Sequence, residues 1–260
     1  MDKRRVIYYR DELNDEFSRT VIGPKVIDGS YDYLRDRPCQ RLIGACFRTL
    51  AWPLSYIYPK VIFGHKIENR DLLLQFVGRP CFLYGNHTQD IFDALLPSCI
   101  SYNRNTYVIV HPNNVSMPIL GRMTPYLGAL PLPDDKAARK NFMSAIEKLV
   151  SEGRWIAIYP EAHIWPYYTR IRPFGDDSFF YPVKYGVPAF CFTNTYQLRP
   201  HFKSPMIVTY IDGPFWADIS LPYRQRRAEL RDRIYECMCQ RARISCVERI
   251  KYMKVDEDRD

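Results

Sequence analysis

The sequence predicts an α/β fold: a mostly parallel central sheet flanked by helices, with an N-terminal amphipathic helical element. Two patterns carry this. Short apolar runs rich in aromatic and β-branched residues, such as 81–84 (CFLY), 106–111 (TYVIVH) and 155–159 (WIAIY), alternate with longer segments of helical periodicity. Residues able to do chemistry fall just after two of those runs, where open α/β sheets place their sites. At 260 residues and 47% hydrophobic, the chain is large enough to cover such a sheet on both faces.

Residues 1–38 are polar, aromatic and mixed in charge, and read as an N-terminal arm, a surface extension. Residues 39–260 then form a single domain. Its first part, 39–63, is a helical element expected to face a membrane. Leu42, Ile43, Cys46, Phe47 and Leu50 fall at helical spacing, Arg41 and Arg48 can snorkel toward headgroups, and Trp52, Tyr56 and Tyr58 favour an interface. The uncharged stretch 49–59 is interrupted by Pro53 and is shorter than the roughly 20 residues a spanning helix needs. An ordinary amphipathic helix covering the sheet fits the same pattern.

Further on, 61–63 reads as a strand before Gly64, and 70–78 as a short helix. After the 81–84 strand, a turn at Asn86-His87 leads into an apolar helix with Ile91, Phe92, Ala94, Leu95 and Leu96. A strand at 106–111 and a loop-rich segment at 112–125 follow. An apolar edge at 128–133 leads to Asp134-Asp135, which suit a helix N-terminus. That helix runs to near Glu152, with Phe142, Ile146, Leu149 and Val150 on one face and Gly153 as a C-terminal stop. Strands are expected at 155–159, 187–193 and, as the last, 206–212. A basic helix over 223–254 has Leu230, Ile234, Cys237 and Met238 as its apolar stripe.

The formal net charge of +8 favours an anionic partner. The basic residues do not interleave with aromatics in an RNA-binding signature, so no nucleic acid is expected. The 8 cysteines are scattered without a Cys-x-x-Cys pair, which suggests neither zinc nor a disulfide framework. The charged N-terminus has no signal-peptide pattern. These features point to a reduced, cytoplasmic-side protein.

The chemistry centres on residues 81–97. His87 sits at a strand exit with carboxylates three and six residues on, at Asp90 and Asp93. Either can hold one ring nitrogen as a donor and free the other as a base. Asp90 also suits the first helical turn as a capping acid. Backbone N–H groups around residues 86–89 are candidate oxyanion donors. Thr88 and Cys81 lie near but form no nucleophile elbow. Gly85-Asn86-His87 also matches a block of dinuclear-metal phosphoesterases. The further Asp and His ligands of those enzymes are missing from the sequence, so no metal is expected.

Asn86-His87 with Asp93-Ala94-Leu95-Leu96 resembles the His-to-Asp block of the phospholipid/glycerol acyltransferases, which include 1-acylglycerol-3-phosphate acyltransferases. One residue is added, so Phe92 stands at the family's Asp position. Further blocks follow in the family's order: 127–132 (LGALPL), Tyr159-Pro160-Glu161, Arg172-Pro173-Phe174 and 183–188 (VKYGVP). The resemblance implies acyl transfer from an acyl thioester, acyl-CoA or acyl carrier protein as co-substrate, to a hydroxyl of lysophosphatidic acid or a related glycerol lipid. It implies no cofactor, peripheral binding to an anionic membrane surface on the cytoplasmic side, and a His87–Asp93 base in preference to Asp90. The substrate-binding set is then Asn86, Glu161, Arg170 and Arg172. The two arginines replace the family's missing phosphate-binding Arg after Pro-Glu, and Glu161 orders its loop through backbone N–H bonds. A lipid-binding pseudoenzyme of the same fold is the first alternative, and a metal-dependent phosphoesterase the second.

Overall fold

The computed structural model describes residues 4–18, 23–101 and 106–255. The outer limits of the arm and of the domain, at 1–3 and 256–260, lie outside the described residues, as does part of the arm at 19–22. In chain order come β1 (Arg5–Tyr9), α1 (Pro38–Phe63), β2 (Lys66–Glu68), β3 (Cys81–Gly85), α2 (Asp90–Ile100) and β4 (Thr106–Val110). Then follow α3 (Asn113–Ser116), α4 (Leu120–Met123), β5 (Ala129–Pro131), α5 (Lys136–Ser151), β6 (Trp155–Ile158) and α6 (Phe180–Tyr185). The chain continues through β7 (Ala189–Gln197), β8 (Met206–Phe215), α7 (Tyr223–Ala242) and β9 (Ile250–Lys254).

Seven strands form the main sheet in the order β2-β8-β7-β3-β6-β4-β5. All pairs are parallel except β7 with β8. The mostly parallel sheet expected from the sequence is therefore present, with the crossovers a parallel sheet needs. β3 is central and buried along its length. Its residues alternate between two cores, as strand geometry requires. Phe82 and Tyr84 pack with Ile146 and Leu149 of α5 and with Leu230, Ile234 and Met238 of α7. Cys81 and Leu83 pack with Phe92, Leu96 and Ile100 of α2.

Four expectations are corrected. The strand at 61–63 is the last turn of α1, which ends at Gly64 in the left-handed region (φ 58°) with its N–H on Lys60 O. Arg199 donates to the Val61 and Ile62 carbonyls, so the freed C-terminal acceptors are satisfied. The C-terminal helix stops at Ala242, and 206–212 is not the last strand. β9 follows, pairing in parallel with β1. Residues 1–38 are accordingly more than a surface extension. Ile7 and Tyr9 of β1 are buried with Trp165, Tyr168, Ile250 and Tyr252 in a third apolar cluster. Trp165 stacks on Tyr252 at 5.0 Å, and its Nε1 donates to Asp15 O at 2.7 Å. The two ends of the chain together clamp the loop that follows β6.

Candidate active site

The site forms where β3, β6 and β7 meet α2. β3 ends at Gly85, whose register partner is Phe192. A Cβ on Gly85 would fall 2.0 Å from the Phe192 ring, so only glycine lets the strands approach this closely. Residues 86–89 carry no regular secondary structure, Gln89 is extended (φ −148°, ψ 134°), and α2 begins at Asp90.

The first turn of α2 brings the Asp93 carboxylate back onto the turn. Its Oδ2 accepts from His87 Nδ1 at 2.9 Å, Thr88 N at 2.7 Å and Gln89 N at 2.8 Å. Its Oδ1 accepts from Asn194 Nδ2 at 3.2 Å. Burial pushes the Asp93 carboxyl above its ordinary value, and the hydrogen bonds from His87, Gln89 and Thr88 oppose that shift. The network assigns the proton on His87 to Nδ1, which leaves Nε2 for chemistry. The imidazole lies over the Tyr159 ring at 4.5 Å, and Tyr159 Oη donates to the Asp93 carbonyl at 2.5 Å. The His87 side chain is 18% exposed while Asp93 is fully buried, so the imidazole faces outward from a rigid base. Asp90 is exposed in the first helical turn, where it faces no imidazole.

Behind Asp93 a chain of buried polar groups runs across the sheet. Asn194 Oδ1 accepts from Thr209 Oγ1 at 2.7 Å, and Thr209 Oγ1 meets His65 Nε2 at 2.8 Å. Because Thr209 donates to Asn194, His65 must donate to Thr209. Burial lowers the His65 pKa to about 4, so the ring is neutral. Asn86 is buried and is not a substrate ligand: its amide exchanges two bonds with the Asn194 backbone, at 2.8 and 3.1 Å. That exchange splices the His87 turn onto β7. Tyr196 Oη donates to Thr88 Oγ1 at 2.8 Å and accepts from Gln89 Nε2 at 3.1 Å, fixing the other flank.

Glu161, just past β6, is buried, with its carboxylate between two backbone N–H groups. Oε2 accepts from His87 N and Oε1 from Arg172 N, each at 3.1 Å. Burial raises its pKa, and the Arg172 charge opposes the shift. Arg172 is corrected as a phosphate ligand: it is fully buried. Its guanidinium donates to the carbonyls of Glu161, His163 and Glu12 and lies over the Trp165 ring. Arg170 is exposed, over the ring of Tyr168. The oxyanion expectation is corrected as well. The N–H groups of His87, Thr88 and Gln89 are committed to Glu161 and Asp93.

Residues 64–193, half of the chain, match the family described as Acyltransferase. The chain belongs to the acyltransferase family. Every residue of the His87 turn, the Asp93 carboxylate and the Glu161–Arg172 pair lie inside the matched segment. The fold of this acyltransferase is similar to a crystal structure of the 1-acyl-sn-glycerophosphate (LPA) acyltransferase PlsC from Thermotoga maritima. The TM-score is 0.52 at 17% identity, over 80% of this chain and 81% of that one. No curated protein matches the chain.

Asn194, Thr209 and His65 belong to the candidate site and were not singled out from the sequence, and Tyr159 was seen there only as part of the Tyr159-Pro160-Glu161 block. One signal was present. Thr193, Asn194 and Thr195 interrupt an otherwise apolar strand, and all three are buried. Buried polar side chains in a central strand need partners, and those of Asn194 are Asp93 and Thr209, in the site.

Proposed function

We propose that this acyltransferase moves a fatty acyl group from an acyl thioester, on CoA or acyl carrier protein, to a hydroxyl of lysophosphatidic acid or a related glycerol lipid. The observation that carries the reading is the His87–Asp93 pair, with Nδ1 held at 2.9 Å by a fully buried carboxylate at a strand exit. His87 Nε2 takes the hydroxyl proton as that oxygen attacks the thioester carbonyl. The tetrahedral intermediate collapses with loss of the C–S bond, and the imidazolium returns the proton to the departing thiolate. Asp93 orients the ring and stabilises the imidazolium without itself taking the proton. No side-chain nucleophile and no cofactor enters. The acceptor class rests on the family and on the name of the Thermotoga protein with the similar fold.

In this reading the enzyme works on the cytoplasmic face of a membrane, with peripheral attachment through α1. Leu42, Leu50, Leu54, Ile57 and Val61 are all more than half exposed, which is unusual for one helix of a globular domain. Among the described residues no helix is long and apolar enough to cross a membrane. The net charge supports an anionic surface.

The test is to incubate the protein with acyl-CoA or acyl carrier protein thioester and a panel of acceptors, and to identify products by mass. An acylated glycerol lipid is expected. Lipid binding without a product from any pair would favour the pseudoenzyme.

A further inference from the structure

A cavity of about 920 Å³ opens beside the His87 turn, with Gln89 and Asp90 in its wall. Tyr167, also in the lining, is tied to the turn through its N–H on Thr88 O at 3.1 Å. Apart from Pro166, the remaining walls come from residues 4–7, from Phe17, from residues 247–250 and from the 198–205 connection between β7 and β8. All of these lie outside the segment matched to the family.

The lining is cationic. Arg4, Arg5, Arg199, Lys203 and Arg249 face the cavity, against the single carboxylate of Asp90. Arg4 is ion-paired with Glu248, and Arg199 is held by the C-terminus of α1. Arg5, Lys203 and Arg249 have no ion-pair partner among the described residues. Unneutralised cations around one cavity repel one another, a cost that a bound anion removes. Exposed aromatic area accompanies the charge. Phe202 is 60% exposed beneath the Arg199 guanidinium, and Arg249 lies over the Tyr167 ring at 4.6 Å. The volume is far beyond that of a bare anion and falls in the range of ligand sites for whole organic molecules, roughly 300–1,000 Å³.

We propose that this cavity binds the phosphate-ester end of a substrate and delivers the rest of that substrate to His87. The inference rests on the acyl-transfer reading above and locates the phosphate recognition that the buried Arg172 does not supply. Guanidinium and ammonium groups recognise phosphate through charge-assisted bonds. Two substrates of the proposed reaction carry such an end: a CoA thioester, in its nucleotide, and a phosphorylated glycerol lipid, in its headgroup.

The experiment is calorimetric titration of the full chain with CoA and, separately, with glycerol phosphate. It is repeated on Lys203→Glu and Arg249→Glu, whose side chains are exposed, with circular dichroism checking the fold. At low ionic strength at least one ligand is expected to bind, and each reversal should weaken that binding about tenfold or more, about 1.4 kcal/mol. The ligand that responds identifies the source. Unchanged affinity in both variants, or no binding of either ligand to the unaltered chain, would overturn the proposal. Turnover of a phosphate-free pair, acyl-pantetheine with monoacylglycerol, reads the His87 chemistry alone. Its failure would count against the proposed function and leave the binding result standing.

Discussion

Asp93 receives three backbone or imidazole bonds on one oxygen and the Asn194 amide on the other. Asp93→Asn puts an amide among donors and breaks the ring's tautomer control, so most activity should be lost. Asp90→Asn changes only an exposed residue of the first helical turn and should cost at most about 1 kcal/mol of stability. Asn194→Ala removes one charge-assisted bond to Asp93. Such bonds are worth about 1.5–3 kcal/mol, so kcat should fall about tenfold to a hundredfold at unchanged KM for the thioester. Steady-state kinetics on Asp93→Asn and Asn194→Ala, with denaturant unfolding of Asp90→Asn, checks these outcomes. A KM effect with kcat intact in Asn194→Ala would place that residue in binding instead. Glu161→Ala leaves the Arg172 guanidinium buried without its carboxylate, and breaking such a pair costs about 3–5 kcal/mol. Denaturant unfolding reads that loss.

At the scale of elements, α1 and the β1–β9 pair make opposite predictions. Leu50→Gln with Ile57→Gln alters two side chains that touch mostly solvent, so stability should change by no more than about 0.5 kcal/mol each. Binding to anionic vesicles in a flotation assay should fall sharply. Unchanged flotation would move the membrane contact off α1. Tyr9→Ala opens a hole against Trp165 at the heart of the terminal clamp, and should cost about 3–5 kcal/mol in thermal or denaturant unfolding. The central strands were legible because buried parallel strands read as continuous apolar runs between turn residues. The end of α1 was not: Val61, Ile62 and Phe63 are as compatible with a strand as with one more helical turn. β9 was hidden because no glycine or proline interrupts residues 243–249, and because its partner β1 lies at the far end of the chain. The site divided in the same way. His87 and its acids share one local stretch, whereas Asn194 and Thr209 reach Asp93 only through sheet register. Arg172 looked like a phosphate ligand because its spacing from Glu161 says nothing about which way the loop turns.

For the molecule as a whole, His65 links stability to pH. Its pKa is lowered from 6.5 to about 4 in the folded state, so the unfolded chain binds the proton more readily between those values. The stability that depends on neutral His65 is present above pH 6.5 and is lost as pH falls toward 4, by about 2–3 kcal/mol. His65→Gln keeps a donor for Thr209 and removes the titration. Its stability should therefore decline less steeply over that window in unfolding curves taken as a function of pH. An identical slope in the variant would assign the acid sensitivity to other groups.

The claim on which the rest depends is that His87 removes the acceptor's proton. The most direct measurement is the rate of acyl transfer from a radiolabelled thioester to lysophosphatidic acid, with the unaltered chain and with His87→Ala, each verified as folded by circular dichroism. The imidazole is partly exposed at a strand exit rather than packed in a core, so the variant should fold. Loss of the base should slow transfer by about a hundredfold to ten-thousandfold. Equal rates in a folded His87→Ala protein would contradict the mechanism.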